Sequence, residues 1–224
     1  SELGREDIES KTQFWESNSN VSIFDPVLCE LMYDWFVPKG GKILDPFAGG
    51  SVRGIVGEEM GFHYDGIELS EEQVLANQKQ SNKPNWIIGD SDKEIFFLDS
   101  DYDFVFTCPP YYDLEVYSDN VSDLSTLNER KFDQKYEKII YKSVTKLKEN
   151  RFFGIVVSEV RNTSTTGSYS IGNYRKLVSK TIEMCEKHGL KFYNDMVLFN
   201  SQHQASRVGK TYFDRNRKIP SVHQ

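Results

Sequence analysis

The chain has 224 residues, a formal net charge of −7 at pH 7, three cysteines and four histidines. That length suits one domain of ordinary size with a full core, and the sequence shows neither a run of about 18 apolar residues nor a secretory signal pattern. The widely spaced cysteines and scattered histidines give no disulfide framework and no metal cluster, so we expect a cytoplasmic protein without a membrane span or a bound metal.

The charge is distributed unevenly along the chain. Residues 201–224 hold five basic residues and one acidic residue, whereas the rest of the chain is strongly acidic. A basic tail on an acidic body predicts a local phosphate-binding patch, with a solvated, flexible terminus as the alternative.

The first half of the chain alternates short apolar runs with amphipathic ones. Residues 1–13 are polar and predict a disordered or linker N-terminus, ahead of a single domain over residues 14–224. Asp25 and Pro26 predict the cap and first position of a helix that runs to about Phe36. Strands at residues 42–44, 62–68, 86–88 and 102–106 then surround helices at 52–60 and 70–80. This order predicts an α/β fold with a doubly wound, mostly parallel sheet.

The second half continues the pattern with longer connections. Residues 113–128 show no periodicity and predict a long loop, which in a compact domain is usually functional or disordered. We expect a helix that starts near Phe132 and extends to about Leu147, and a fifth strand at 152–157. A mobile loop at 162–172, a helix at 174–188 and a sixth strand at 191–199 complete the predicted order.

Three acidic residues stand at the ends of three successive predicted strands: Asp45, Glu68 and Asp90. Asp45 opens a turn whose glycines let a ligand approach the backbone, and an acidic turn suits a ligand with a positive centre. A carboxylate at Glu68 can accept two ribose hydroxyls, and Asp90 can accept from an adenine amino group. Together they predict a site for S-adenosylmethionine, lined by Phe24, Asp45, Phe47, Ala48, Gly49, Gly50, Glu68, Leu69, Asp90, Ser91 and Thr107.

A stiff turn follows the fourth strand. Its prolines offer no amide hydrogen and hold the preceding residues extended, at the sheet edge where ligands of α/β proteins bind. Outward carbonyls and an adjacent ring could hold a flat base that carries an amine. The predicted catalytic residues are Cys108, Pro109, Pro110 and Tyr111. Tyr112 is a second candidate ring, with core packing as the alternative.

The stretches 43–51 and 107–112 resemble the cofactor and catalytic motifs of the DNA amino-methyltransferases, which modify adenine N6 or cytosine N4. Residues 18–26 resemble the additional cofactor motif of that family. The sequence around Phe24 and Cys108 is most similar to methylases carried by bacteriophages. The resemblance implies a Rossmann-like sheet, a bacterial or phage-infected host cell, and methyl transfer from S-adenosylmethionine to a base flipped out of DNA.

Two departures from the family pattern affect these expectations. Family members carry Asp, Asn or Ser where this chain has Cys108, and a thiol is a weak acceptor, so the backbone carbonyls beside Pro109 must do more. The target base therefore stays open between adenine and cytosine. We also expect the family's last antiparallel strand to be missing from the given sequence, since no apolar run follows Phe213, and it is left open whether the chain is a fragment of a longer protein.

DNA contacts are expected from the loops at residues 113–128, 161–174 and 202–218. The candidate substrate-binding residues are Tyr112, Asp113, Arg161, Arg207 and Lys210. Two alternatives remain: methylation of an amine in RNA, protein or a small molecule, and a catalytically decayed subunit that only binds the cofactor or DNA. The recognition sequence, the oligomeric state and the biological role are left open.

Overall fold

The computed structural model describes residues 24–114, 116–162 and 172–198, which build one parallel sheet with helices on both faces. The strands follow the order β3-β2-β1-β4-β5. Their bounds are β1 Lys42–Asp45, β2 His63–Glu68, β3 Asn85–Ile88, β4 Tyr102–Thr107 and β5 Leu147–Ile155. The predicted α/β class and doubly wound parallel sheet are confirmed.

Six α-helices lie among the described residues: α1 Pro26–Phe36, α2 Val52–Glu59, α3 Glu71–Gln80, α4 Ser91–Glu94, α5 Glu129–Lys146 and α6 Leu177–Lys187. Their starts follow from local chemistry. The Asp25 carboxylate accepts hydrogen bonds from the first free amides of α1, and the Ser70 hydroxyl accepts from the amide of Gln73 in α3. None of these helices is long and apolar enough to span a bilayer.

The core has two main layers, one on each face of the sheet. On one face, α1, α2 and α3 cover Phe104 and Phe106 of β4 together with Tyr64 and Trp86. On the other face, the apolar residues of α5 and the first turn of α6 pack together with Ile67 of β2. All six residues of β4 are buried, as expected for an inner strand of a sheet that is covered on both sides. Because β2, β1 and β4 are parallel neighbours, their carboxyl ends lie side by side at one edge of the sheet.

Two element boundaries differ from the prediction. Helix α5 ends at Lys146, and Leu147 already belongs to β5, whose pairing with β4 skips from Leu147 to Phe152. In that skip, Lys148 and Arg151 form ion pairs with Asp103. Helix α6 begins at Leu177 rather than at residue 174, because the backbone just before it pairs with the segment at 160–162.

The predicted sixth strand is wrong for its described part. Residues 191–198 form no strand, and Phe192, Tyr193, Met196 and Val197 are exposed. A strand needs a neighbour to pair its amides and carbonyls. Within the described ranges, β5 pairs with β4 alone, and residues 191–198 pair with no strand, although the Tyr193 ring lies 5.3 Å from the ring of Phe152 in β5. The expected mobile loop lies mostly outside the described residues, and residues 201–224 lie wholly outside them.

Candidate active site

The turn after β1 is held from both sides and open towards the outside. The Gly49 amide donates to Glu68 Oε2 at 2.9 Å, and Asn77 Nδ2 donates to the Gly49 carbonyl at 2.8 Å. Gly49 has a φ of 54°, in the left-handed region that favours glycine. A Cβ added to Gly49 or Gly50 would meet no atom of the part of the chain that the structure describes within 4 Å. The turn therefore presents bare backbone to open space, as a close-fitting ligand requires.

Asp45, which opens this turn, is fully buried and surrounded by protein donors. Its Oδ2 accepts from Arg53 Nε at 2.5 Å and from the Tyr64 hydroxyl at 2.7 Å. Its Oδ1 accepts from the Thr107 hydroxyl at 2.7 Å and from the Phe47 amide at 3.1 Å. Both oxygens are engaged, so Asp45 organises the turn from inside the protein. Its predicted contact with a ligand stays a prediction, and would require one of these donors to move.

Arg53, in the first turn of α2, is the main site residue that the sequence reasoning missed. Its Nη2 donates to the carbonyls of Phe47 at 2.5 Å and Ala48 at 3.0 Å, and its guanidinium lies 4.5 Å above the centre of the Phe24 ring. Burial lowers the pKa of Arg53, but the interactions with Asp45, Tyr64 and Cys108 together outweigh this effect and leave the pKa above its usual value. The guanidinium therefore stays charged and ties Phe24 to the glycine turn.

Glu68, at the end of β2, faces the glycine turn. Besides accepting from Gly49, it accepts from the Ser70 amide through Oε1 at 2.8 Å. Burial raises the pKa of Glu68, and the two amide hydrogen bonds offset part of that rise. Leu69 is half-buried directly after it. The carboxylate is thus held at the edge of the open turn, where the sequence placed a ribose acceptor.

Asp90, after β3, also has protein partners. Its Oδ1 caps α4 by accepting from the Asp92 amide at 3.1 Å, and its Oδ2 accepts from Lys135 Nζ at 2.8 Å. Lys135 donates in addition to the carbonyl of Ser122, in the loop after β4, at 2.6 Å. Ser91 is buried and its hydroxyl donates to the Pro46 carbonyl at 2.5 Å. Lys135 is therefore a second residue near the candidate site that sequence reasoning did not identify.

The Pro-Pro turn lies beside the glycine turn because β1 and β4 are neighbours in the sheet. Thr107, the last residue of β4, carries the hydrogen bond to Asp45 and immediately precedes Cys108. The Cys108 thiol is 3.5 Å from the Tyr111 hydroxyl, which also donates to the Val156 carbonyl at 3.5 Å. Cys108, Pro110 and Tyr111 are half-buried. The predicted catalytic residues thus form one turn at the sheet edge.

The predicted substrate-binding residues are only partly brought together. The candidate substrate-binding role of Tyr112 is corrected in favour of the alternative, core packing. Its side chain is 0% exposed and packs against Phe132, so it cannot stack on a base in this arrangement. Asp113 is exposed and forms an ion pair with Arg175. Arg161 lies 4.1 Å over the Tyr174 ring. Arg207 and Lys210 are outside the described residues.

Comparisons with known proteins place this geometry in a known fold. Neither a protein-family model nor a curated protein matches the sequence. Solved structures do. A TehB-like SAM-dependent methyltransferase from Corynebacterium glutamicum is 17% identical with a TM-score of 0.52, over 84% of this chain and 86% of that one. A candidate rRNA methylase from Clostridium thermocellum is 10% identical with a TM-score of 0.51, over 77% and 86%.

The cyclase SpnF is a third similar structure, with 16% identity and a TM-score of 0.52 over 78% of this chain and 62% of that one. Two of these three proteins are named for methyl transfer and the third for a cyclisation, and such low identity shows the fold alone. The described chain has the fold of the S-adenosylmethionine-dependent methyltransferases.

Proposed function

We propose that the protein transfers a methyl group from S-adenosylmethionine to an exocyclic amine, adenine N6 or cytosine N4, in DNA. The hydrogen bond between Thr107 and Asp45, at 2.7 Å, carries the proposal. It fixes the open glycine turn directly beside the turn that begins at Cys108. A donor of methyl groups and a base held at these two turns would be neighbours, as direct transfer requires.

The residues present fit the proposed cofactor. Among the described residues, none comes within 4 Å of a Cβ built on Gly49 or Gly50, and the oxygens of Glu68 at the edge of that space accept from two backbone amides. A carboxylate oxygen has more than one lone pair, so Glu68 can accept ribose hydroxyls as well. When bound, S-adenosylmethionine would supply an electrophilic methyl group.

The chain's own residues would prepare the amine. An exocyclic amine is a poor nucleophile because its lone pair is delocalised into the ring of the base. Hydrogen bonds from the amine to the carbonyls of Cys108 and Pro109 would localise that lone pair. Tyr111 would stack on the flipped base and replace stacking worth about 1–3 kcal/mol. No general base is needed before transfer, because the proton can leave the cationic product afterwards.

The loop after the Pro-Pro turn supports contact with bases more than with phosphates. It exposes four apolar side chains, Leu114, Val116, Tyr117 and Val121. Residues 113–128 contain four acidic residues and no Lys or Arg. Apolar side chains can be inserted between base steps, whereas phosphates are neutralised by Lys and Arg. We propose that this loop fills the space left by a flipped base and that the basic residues of 201–224 contact phosphates.

Tritium transfer from labelled S-adenosylmethionine tests the function. DNA, RNA, a protein extract and small amines are offered in parallel, and the modified nucleosides are identified by mass spectrometry. Label in N6-methyladenine or N4-methylcytosine of DNA is the expected result. Label only in RNA, protein or small amines would show that DNA is not the substrate, and cofactor binding without transfer to any of them would indicate a decayed subunit.

The affinity for DNA should fall as the salt concentration rises, because each phosphate that a basic residue neutralises releases counterions.

Glu68→Ala should weaken S-adenosylmethionine binding by about 1.5–3 kcal/mol, since it removes a charged acceptor for two hydroxyls. Titration calorimetry measures this. Glu72→Ala is the control, because Glu72 is an exposed carboxylate in the first turn of α3 and takes no part in the hydrogen bonds that Glu68 and Asn77 make to Gly49. An unchanged affinity for Glu68→Ala would show that the ribose assignment is wrong.

Cofactor affinity should also depend on pH through Glu68. The ionised carboxylate accepts the hydroxyl hydrogens, and burial raises the pKa of Glu68 above its usual value. Affinity should therefore be full above that raised pKa and fall as the pH drops through it. Calorimetry over a pH series follows the effect, and Glu68→Gln should remove that part of the pH dependence. An identical pH profile in Glu68→Gln would assign the titration to another group.

A further inference from the structure

Tyr112, directly after the Pro-Pro turn, is held in an unfavourable backbone conformation. Its φ is 56°, in the left-handed region, where a residue with a Cβ is strained. The side chain is nevertheless completely buried. Strain of this kind persists only where the surroundings fix the residue, so the surroundings of Tyr112 indicate what the strain secures.

Three separate parts of the chain hold the Tyr112 side chain. Its hydroxyl donates to Asp133 Oδ1 of α5 at 2.9 Å and accepts from Lys180 Nζ of α6 at 3.0 Å. The Arg175 guanidinium, from the segment before α6, lies 3.9 Å over the ring. Phe132 packs on the ring with the centroids 4.4 Å apart. The Tyr112 side chain is thus held by hydrogen bonds at its hydroxyl and by the guanidinium over the face of its ring.

The groups that hold Tyr112 are themselves fixed by ion pairs. Lys180 Nζ lies 2.7 Å from Asp133 Oδ2 and 2.9 Å from Glu129 Oε1. Arg175 pairs with Glu129 at 3.5 Å and with Asp113. These contacts connect α5, α6 and the two residues that directly follow the turn in one network that is mostly shielded from solvent. The residue that immediately precedes Tyr112 is the predicted stacking ring, Tyr111.

We propose that Tyr112 and its anchors Lys180 and Asp133 are positioning residues that hold the turn from Cys108 to Tyr111 in the geometry that methyl transfer needs. The inference rests on the proposed function. A turn that must aim two carbonyls and a ring at one base loses rate steeply when it shifts by an ångström. The network fixes the end of this turn from outside the site, without touching the substrate.

Tyr112→Phe and Lys180→Met test the proposal. The first removes the hydroxyl and keeps the ring, and the second removes the charge and keeps most of the apolar stem. Lys187→Met is the matched control, because Lys187 also lies on α6 and pairs with a carboxylate of α5, Glu137, but is 66% exposed and away from the turn. We expect kcat to fall about tenfold or more in both test variants, with an unchanged Kd for S-adenosylmethionine and parental kcat in Lys187→Met.

A second readout reports the turn without catalysis. The Cys108 thiol is half-buried within the turn, whereas Cys29 is fully buried. In a Cys185→Ser background, the rate at which a thiol reagent labels the protein therefore reports opening of the turn. We expect labelling about fivefold faster in Tyr112→Phe and Lys180→Met than in the parent or Lys187→Met.

The two readouts separate this proposal from the proposed function. Labelling at the parental rate in both test variants would overturn the positioning role, as would kcat values equal to that of Lys187→Met. If the parent transfers no methyl group to any substrate, the proposed function fails, and the thiol rates alone decide whether Tyr112 and Lys180 hold the turn.

Discussion

Arg53→Met should lower the free energy of unfolding by about 3–5 kcal/mol, as expected when one partner of a buried ion pair is removed. Arg53 and Asp45 have side chains that are 5% and 0% exposed. Without Arg53, the Asp45 carboxylate keeps only hydroxyl and amide donors, and the carbonyls of Phe47 and Ala48 lose the donor that they share. Urea unfolding followed by circular dichroism measures the change.

Two further variants sharpen this test. Arg53→Lys should recover only part of the loss, because an ammonium group cannot span a carboxylate and two carbonyls as the planar guanidinium does. Lys83→Met removes the ion pair with Glu58, in which Lys83 is 74% exposed, and should change stability far less because solvent already screens that pair. A loss in Arg53→Met no larger than that in Lys83→Met would contradict the buried pair.

The strands that the sequence predicted correctly are those with a strong local signal. Strand β4 is an apolar and aromatic run, interrupted by Asp103, that ends just before two prolines, and β1 runs directly into a glycine turn. The segment at 191–198 has comparable apolar content, yet pairing depends on a neighbour that its own residues do not encode. Leu147 suits the apolar face of α5 and the start of β5 equally, so the boundary between these two elements could not be predicted from the spacing of apolar residues.

The residues of the candidate site likewise divide into those that local sequence could predict and those that it could not. Glu68 could be placed against the glycine turn because Glu68 ends β2 and the turn follows β1, its parallel neighbour, and the structure brings Gly49 and Glu68 within hydrogen-bonding distance. Arg53 and Lys135 gave no such signal, since a cation in an amphipathic helix is ordinarily solvated. Their roles follow from buried carboxylates on other elements. Tyr112 was misplaced because two consecutive tyrosines do not reveal which one a positive φ turns into the core.

The Tyr111 ring, by contrast, stays at the site, and Tyr111→Ala should lose most turnover while S-adenosylmethionine still binds. A lost base stack of about 1–3 kcal/mol corresponds to about 5–150-fold in rate. Tyr111→Phe keeps the ring and gives up only long contacts, 3.5 Å each, to the Cys108 thiol and the Val156 carbonyl, so it should stay close to the parent. Tritium transfer to DNA, run beside calorimetry with the cofactor, separates the two effects.

Cys108→Ser should, in contrast, remain active. The backbone carbonyl of residue 108, and not the thiol, would accept the hydrogen bond from the exocyclic amine of the base. Serine is close to cysteine in size, and its hydroxyl can keep the contact with Tyr111 that the thiol makes at 3.5 Å. Because Tyr111 packs against the core cluster of α5, each variant's melting temperature must be compared with the parent's. Unimpaired transfer by a folded Tyr111→Ala would remove stacking from the mechanism. An inactive but folded Cys108→Ser would instead assign the central contact to the thiol.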